Sequence, residues 1–392
     1  MSEAPLSGLS VIDLTHYIGG PLCTKLLAGM GAEVIKVEQP GHGDPARRMG
    51  PFPDDLPDHE KSGTFLYLNT GKKSITLNLK SATGIKILKD LVKEADVLVE
   101  NFEPRVMQSL GLSYSILERI NPRLVITSIS NFGQTGPYRD YKAEEMAILA
   151  LGGMMYLIGD PEREPLRWGF EAAQYMGGLS AFTGTMAALH YVEQTGAGQQ
   201  VDISLLEGIV ASHFQAPEQY AYTGVVARRN RTMLVFPCKD GVVQLALQPH
   251  HWPKLTQLVG MPELLEDPRF RDTQSRTRNY EALETLLLPW MIERSMTEIY
   301  HAGQSIGFPV GYGATTADLF EAPQYHARGF LVDIEHPRAG KLTYPGTPVS
   351  MGDIPWQHSR APLLGEHNEE IYCGRLGLSR GDMVRLREGG VI

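Results

Sequence analysis

Cysteine is scarce in this chain of 392 residues, which has only Cys23, Cys238 and Cys373. The number is odd, the three are widely spaced, and neither a CxxC pair nor a histidine cluster has the spacing of metal ligands. The sequence therefore lacks the pattern of a disulfide-rich secreted domain and that of a structural zinc site. We expect a protein of the reducing cytoplasm that uses no metal.

Positive charge and long apolar runs are also in short supply. The chain has 45 acidic and 36 basic residues, a formal net charge of -9 and an isoelectric point near 5.8. Nucleic-acid binding needs a basic face, so we expect no nucleic-acid partner. The longest apolar run, residues 146–158, is too short to cross a bilayer, and residues 1–5 lack the features of a signal peptide. We expect no membrane partner and a cytoplasmic location.

Three common nucleotide-binding and catalytic motifs are missing. The segment from Gly29 to Val34 has two glycines of a dinucleotide fingerprint but lacks the third, and it ends a helix pattern instead of following a strand. The chain also contains no P-loop and no GxSxG nucleophile elbow. These absences argue against a nicotinamide dehydrogenase, a P-loop nucleotidase and a serine hydrolase.

What the chain does contain is an alternation of strand and helix patterns over its first 200 residues. It opens with a short apolar strand within residues 9–16, a turn with Gly19, Gly20 and Pro21, a helix, and a buried strand over 33–37. The alternation then continues with helices over 82–94, 114–120 and 179–193 and strands over 97–99 and 124–128. This order predicts an α/β fold with a parallel sheet covered by helices.

A change in composition near residues 224–231 indicates a second, smaller domain. A chain of 392 residues is longer than one core usually supports. The connector is basic and contains glycine, and a mixed segment with a strand over 242–247 and helices near 251–259 and 280–294 follows it. We predict a large domain that begins with residues 1–200, a linker over 201–230 and a small α/β domain over 231–317.

A set of characteristic blocks occurs in order along nearly the whole chain. The blocks are Leu9–Glu38, Leu68–Lys80, Ala95–Pro104, Ser128–Tyr138, Gly198–Glu207 and Ala361–Glu369. This set resembles the family III CoA-transferases, the group of formyl-CoA, carnitine and bile-acid CoA-transferases. The resemblance implies a Rossmann-like large domain, a segment over 318–392 that returns to complete it, and a dimer of interlocked chains. It also implies acyl-CoA as the substrate.

The resemblance further implies where CoA would bind. His16 lies at a strand end before a glycine pair, where ligands approach open α/β sheets, and Lys72 and Lys73 follow a turn and could hold phosphate oxygens. The family pattern adds Gln39, Asn69, Asn101, Phe102 and Lys142. From the residues alone, structural roles for these side chains stay equally open. Relatives often have arginine where this chain has Gln39 and near Ser109, so two fixed positive charges are missing here.

The nucleophile position is the main departure from the family. In these transferases an aspartate attacks the acyl-CoA carbonyl, CoA leaves, and the acyl group passes through anhydride and thioester intermediates to the incoming carboxylate. Counting back from Gly178–Phe182 and Thr195–Gln199 places Gln174 at that aspartate, and a neutral amide cannot take its role. Glu171, three residues away, and Glu145, which matches a second acidic position of the family, are carboxylates that could replace it. Ordinary helix-start or loop carboxylates are the alternative.

Three functions are compatible with this site. The chain is a non-catalytic subunit that pairs with a paralogue bearing the aspartate, or a self-sufficient CoA-transferase that uses Glu145 or Glu171, or an acyl-CoA racemase. We rank the racemase last, because that chemistry needs an acid and a base on opposite faces and Gln174 cannot exchange protons at neutral pH. Two-subunit members exist in the family, and we favour the first function, with a succinyl-CoA type of donor.

Overall fold

The computed structural model describes residues 4–229, 233–246, 248–352, 354 and 356–392. Its residues form two compact units, which are described in turn. The large unit comprises the chain up to Tyr156 together with Arg167–Val226 and Arg328–Ile392, and the small unit comprises Leu157–Leu166 and Ala227–Ala327. No helix among the described residues is both long and apolar enough to span a membrane.

The strands of both units are short. In chain order they are β1 (Ser10–Asp13), β2 (Glu33–Glu38), β3 (Lys73–Thr76), β4 (Val97–Glu100), β5 (Val125–Ser130), β6 (Gln200–Ser204), β7 (Met233–Pro237), β8 (Val242–Ala246), β9 (Val310–Tyr312), β10 (Leu331–His336) and β11 (Gly340–Pro345). Strands β1 to β6, β10 and β11 belong to the large unit, and β7 to β9 belong to the small unit.

The helices are mostly short, and the longest of those that the structure describes spans Ala172–Thr195. They are α1 (Gly19–Gly29), α2 (Gly63–Leu68), α3 (Ala82–Val92), α4 (Val106–Ser109), α5 (Tyr114–Ile120), α6 (Glu145–Leu151), α7 (Met154–Leu157), α8 (Ala172–Thr195), α9 (Leu205–Ser212), α10 (Gln215–Thr223), α11 (Trp252–Val259), α12 (Thr273–Arg278), α13 (Tyr280–Ile292), α14 (Met296–Ser305), α15 (Thr316–Glu321), α16 (Pro323–Ala327) and α17 (Arg380–Glu388). A π-helical turn, Glu370–Arg375, precedes α17.

A six-stranded parallel sheet forms the centre of the large unit. Its strand order is β3-β2-β1-β4-β5-β6, which is that of a Rossmann fold. Every residue of β1, β4 and β5 is buried, as expected where helices cover both faces of a parallel sheet. The order changes direction between β1 and β4, so the carboxyl ends of these two strands border a crevice. The predicted α/β fold with a parallel sheet is confirmed.

Helices α1 and α8 approach each other closely at their N-terminal ends. A Cβ atom on Gly178 would lie 2.6 Å from the carbonyl oxygen of Gly19 and 3.0 Å from Leu22, so only glycine fits there. The predicted helix over 179–193 therefore starts too late. The observed helix α8 begins at Ala172, and Gly177 and Gly178 lie inside it, where Gly178 packs against α1 and Gly177 packs against Leu205.

The C-terminal segment packs against the β3 edge of the large unit. The hydroxyl group of Tyr372 donates a hydrogen bond to the carbonyl oxygen of Thr76 at 2.7 Å, and the Asn78 N–H donates to the carbonyl of Val391 at 2.7 Å. Buried side chains of this segment also belong to the main core around the sheet. The hairpin of β10 and β11 adds Ile334 and Tyr344 to a second cluster in the same unit.

The small unit has its own sheet and core. Strands β7, β8 and β9 form an antiparallel sheet, and the core around it includes Phe236, Trp252, Leu287 and Phe308. The last residue of the predicted strand, Leu247, and the end of the predicted connector lie outside the described residues.

The observed unit boundaries differ from the predicted ones. Residues 201–226, which we assigned to a linker, contain part of β6 together with α9 and α10 and belong to the large unit. Strand β6 pairs with β5, and that pairing ties this stretch to the central sheet. The segment 157–166 groups with the small unit, and the chain returns to the large unit at Arg328 instead of residue 318.

Candidate active site

Three of the predicted CoA-site residues meet at the crevice between β1 and β4. The Asn101 side chain accepts a hydrogen bond from the His16 N–H and donates one to the His16 carbonyl, each at 2.8 Å. The rings of His16 and Phe102 meet edge to face, with centroids 5.5 Å apart. Burial lowers the pKa of His16, which favours a neutral ring. The two strand ends are therefore held together where open α/β sheets bind ligands.

A buried ionic network lies beneath this crevice and centres on Asp13. Its carboxylate accepts from Thr15 N–H at 2.8 Å and Thr24 Oγ1 at 2.7 Å, and it pairs with Lys72 Nζ at 3.0 Å. Burial works against ionisation, but Lys36 and Lys72 lower the pKa of Asp13 below its ordinary value. The network fixes the end of β1 and hence the turn that leads to α1.

Two other predicted CoA contacts are fully used inside the fold. The ammonium of Lys72 donates to Asp13, to the Asn69 side-chain oxygen at 2.8 Å and to the Pro21 carbonyl at 3.0 Å. Asn69 donates its amide to the Phe65 carbonyl at 3.0 Å. Both side chains are buried, and Lys72 has no N–H left for a phosphate. We therefore assign Lys72 and Asn69 to the support of the crevice instead of to ligand binding.

The remaining basic candidates have different surroundings. Lys73 forms ion pairs with Glu33 at 2.6 Å and with Glu370 at 2.7 Å, away from the carboxyl end of its strand. Gln39 is exposed after β2. Lys142 pairs with Glu103 and is mostly exposed.

Lys142 lines a basic pocket of about 420 Å³ that we call the Arg105 pocket. It is bordered by Glu103, Pro104, Arg105, Val106, Ser109, Arg139, Asp140, Tyr141 and Lys142. Arg105 forms a two-point ion pair with Asp140 at 2.8 and 2.7 Å. Tyr141 stacks on Tyr138 with ring centroids 5.0 Å apart, and both rings are exposed. Cations and an exposed aromatic platform are what phosphates and an adenine ring require.

Gln174 lies in the first turn of α8 and faces the start of α1. Its side-chain oxygen accepts a hydrogen bond from the Gly19 N–H at 3.3 Å. A Cβ atom on Gly19 would lie 2.9 Å from that oxygen and 3.0 Å from the carbonyl oxygen of Gln174, so a larger residue would have to displace this contact. The position predicted to hold the nucleophile thus carries a half-buried neutral amide against the turn that follows β1.

Two carboxylates lie near Gln174. Glu145 accepts a hydrogen bond from the Ala173 N–H at 2.7 Å, and burial raises its pKa although that bond opposes the change. Its second oxygen, Oε2, is buried and has no hydrogen-bond partner in the part of the chain that the structure describes. Glu171 occupies the N-cap position of α8 without capping it through its side chain.

Aromatic rings line the same end of α8. Trp168 and Phe170 stack with centroids 5.7 Å apart, and Phe170 meets Tyr175 edge to face at 5.9 Å. Phe170 is exposed, so its ring is accessible to a ligand.

Sequence reasoning missed the charged network under the site. Asp13, Lys36, Glu38, Asp44 and Arg47 are all buried, and Lys36 pairs with Asp44 at 2.8 Å. The signal that could have revealed it is a charged residue inside a buried apolar strand, as in Ser10–Asp13 and Glu33–Glu38, because such charges need partners. Within the described ranges, no cluster of histidine, cysteine and acidic residues could hold a metal ion.

Glu100, which precedes Asn101, should make the stability of the protein depend on pH. Burial raises the pKa of Glu100 to about 7, against the opposing hydrogen bonds from Ser128 and the Phe102 N–H. Because the folded state favours the protonated form, its contribution to stability is complete below about pH 4.5 and is lost as the pH rises to about 7. The free energy of unfolding of the wild type, relative to that of Glu100→Gln, should therefore fall by on the order of 1–3 kcal/mol between pH 5 and 8.

Urea unfolding of wild type and Glu100→Gln at pH 5, 6, 7 and 8 measures this difference. The exposed Glu263→Gln serves as the control and should show a constant difference from wild type. A pH-independent difference for Glu100→Gln would contradict the assignment of a raised pKa.

Comparison with known proteins finds one family and several similar chains. The sequence profile of the family described as CoA-transferase family III matches residues 6–368 of this chain. Formyl-CoA:oxalate CoA-transferase of Streptomyces coelicolor is 33% identical, with 100% of both chains covered. Succinyl-CoA–D-citramalate CoA-transferase of Chloroflexus aurantiacus is 33% identical over 99% of this chain and 98% of the relative. A CaiB/BaiF family protein from Brucella suis superposes with a TM-score of 0.85 at 32% identity, covering 95% of this chain and 100% of that one.

Proposed function

Because the chain belongs to CoA-transferase family III, we propose that it is the non-catalytic subunit of a CoA-transferase built from two different chains. The family takes an acyl-CoA and a carboxylic acid as substrates. The partner would be a paralogue that carries the nucleophilic aspartate, and the two chains would interlock as a dimer. In such a dimer one competent active site is enough for turnover.

The observation that carries this proposal is the side chain of Gln174. It points at the Gly19 N–H, where a family nucleophile would begin its attack, but an amide cannot form the acyl anhydride and release CoA. The residues predicted to line the CoA crevice, His16, Asn101 and Phe102, contact one another. A crevice of this kind beside a neutral residue at the predicted nucleophile position supports a subunit that binds ligand and lacks chemistry.

The substrates we propose are a succinyl-CoA type of donor and a dicarboxylic acid acceptor. Relatives are named for oxalate, D-citramalate and glutarate, which are dicarboxylates. The rings of Trp168, Phe170 and Tyr175 favour an acid with an aryl group. An acid of this kind is (R)-benzylsuccinate, which a two-subunit member of the family uses in anaerobic toluene degradation.

We place the CoA moiety over His16, Asn101 and Phe102, with its phosphates directed to the Arg105 pocket. Replacement of Lys142 by methionine should weaken CoA binding about tenfold, the loss of one charge-assisted hydrogen bond. The change also leaves Glu103 without its ion pair, which adds repulsion of the phosphates. Calorimetric titration with CoA measures the effect, which should shrink as the salt concentration rises.

The matched control for Lys142 is Lys93→Met. Lys93 is exposed and pairs with Asp90 on the surface of α3, so this variant should bind CoA as the wild type does. Equal losses in the two variants, or no loss in either, would remove Lys142 from the CoA site.

The experiment that tests the proposed function is a CoA exchange assay with two compositions. Transfer from succinyl-CoA to a panel of dicarboxylic acids is measured with the purified chain alone and with the closest paralogue encoded beside it. We expect no turnover by the chain alone and turnover by the mixture. Turnover by the chain alone at the rate of the mixture would overturn the proposal.

One observation favours a second candidate, a self-sufficient transferase that uses Glu145 or Glu171. The buried oxygen Oε2 of Glu145 has no partner among the described residues, so it is available to a substrate. Its other oxygen is held by the Ala173 N–H, which limits how far the carboxylate can move towards an acyl carbonyl. Activity of the isolated chain that is abolished by Glu145→Gln would establish this alternative.

A further inference from the structure

A buried lysine lies near the candidate active site without a counter-ion. Only 8% of the Lys25 surface is exposed, and its ammonium nitrogen lies 3.1 Å from the centroid of the Tyr67 ring. Over the ranges that the structure describes, Lys25 has neither an ion pair nor a hydrogen bond, and a second basic side chain, His358, lies close enough to interact with it electrostatically. A cation above an aromatic ring regains part of the hydration energy that it loses on burial. The burial of an ammonium group without an anion nevertheless still costs free energy.

The surroundings of Lys25 suit an anion. Tyr67 and Tyr175 pack against Ile18 and Leu22, and burial raises the pKa of Tyr67 to about 12 and also raises that of Tyr175. Both hydroxyl groups are therefore neutral at physiological pH and can donate hydrogen bonds. In the described residues neither hydroxyl has a recorded hydrogen bond. Burial, with Lys72 nearby, lowers the pKa of Lys25 to about 7, as expected for an ammonium that lacks a carboxylate.

Lys25 lies on the same helix as Gly19, which contacts Gln174. It lies six residues after Gly19 on α1, which is about 9 Å along the helix, and helical side chains lean back towards the N-terminus. Gly19 contacts Gln174, and Tyr175 follows Gln174 in α8. Tyr67 and Tyr175 also pack against Ile18, the residue before Gly19, so the ammonium and the two rings lie on elements that meet at the start of α1 and of α8.

We propose that Lys25, with Tyr67 and Tyr175, binds the second carboxylate of a dicarboxylic acid whose first carboxyl group lies at Gln174. The bound carboxylate supplies the counter-ion that Lys25 lacks and accepts hydrogen bonds from the hydroxyls. A monocarboxylic acid of the same length leaves the ammonium buried and unpaired, so it binds more weakly. This inference rests on the proposed function, and it specifies which class of acid the site selects.

Equilibrium binding tests the inference without requiring turnover. The chain, saturated with CoA, is titrated with succinate and glutarate and with the monocarboxylates butanoate and pentanoate. We expect wild type to bind the dicarboxylates at least about tenfold more tightly and Lys25→Met to lose that preference. Lys25→Arg should retain most of it, and the surface variant Lys93→Met should match wild type. Equal binding of both acid classes by wild type, or an unchanged preference in Lys25→Met, would overturn the inference.

A second measurement does not depend on the methionine variant. The pKa of Lys25, followed by NMR after isotopic methylation of the lysines, should rise when succinate or glutarate is added and stay unchanged with butanoate, because a paired carboxylate favours the charged ammonium. No rise with dicarboxylates would contradict the inference. If the two-chain mixture shows no CoA exchange but the chain still prefers dicarboxylates, only the proposed function is contradicted. If the mixture exchanges CoA but the chain shows no dicarboxylate preference, only the role of Lys25 is contradicted.

Discussion

Replacement of Gln174 by aspartate is expected to raise CoA transfer by the chain alone by about a hundredfold or more over the wild type. The substitution puts a carboxylate at the start of α8, beside the Gly19 N–H that now contacts the amide oxygen. A carboxylate can form the acyl anhydride and the thioester, which an amide cannot. Initial rates of CoA exchange from succinyl-CoA measure the gain.

The matched control for this change is Gln174→Asn. Asparagine has the length and shape of aspartate but no charge, so it reproduces any effect of a shorter side chain without supplying a nucleophile. We expect it to stay at the wild-type level. Equal rates for Gln174→Asp, Gln174→Asn and the wild type would show that the pocket lacks more than the carboxylate.

Replacement of Asp13 by alanine is expected to lower the free energy of unfolding by about 3–5 kcal/mol. The change removes the acceptor of two threonine contacts and leaves the buried ammonium groups of Lys36 and Lys72 without their shared anion. Substitutions that remove the partner of a buried charge are among those that reduce stability most. Urea unfolding at pH 7 measures the change.

Acid unfolding provides a second readout for Asp13. Its folded-state pKa lies below the ordinary value of 3.8, so its contribution to stability is present above that value and is lost as the pH falls below it. The unfolding free energy of Asp13→Ala should therefore depend less on pH below about pH 4. The surface variant Asp90→Ala should change stability by less than about 0.5 kcal/mol. Parallel acid profiles for Asp13→Ala and wild type would argue against the network.

Local patterns in the sequence predicted much of the large unit. The helix over 114–120 and the opening strand, helix and second strand occur where we expected them. The meeting of His16 with Asn101 and Phe102 is compatible with the strand pattern, because they follow two parallel strands whose carboxyl ends share one edge of the sheet. The choice of Asn101 and Phe102, however, came from the family resemblance and not from periodicity.

The environments of the lysines could not be predicted in the same way. The segment Leu68–Lys80 has the composition of an exposed turn, yet Lys72 is buried because its partner Asp13 lies 59 residues earlier in the chain. Lys25 lies in an ordinary helix pattern, and its isolation depends on Tyr67 and Tyr175, which come from other helices. Contacts over such separations leave no local signal in one sequence.

The central claim is that the catalytic carboxylate lies on another chain, and covalent trapping tests it most directly. During turnover of the two-chain mixture with succinyl-CoA, hydroxylamine or borohydride converts the acylated carboxylate into a stable product that peptide mass spectrometry locates. We predict the modification on an aspartate of the partner chain and none on this one. Modification of Glu145 or Glu171 of this chain would contradict the account.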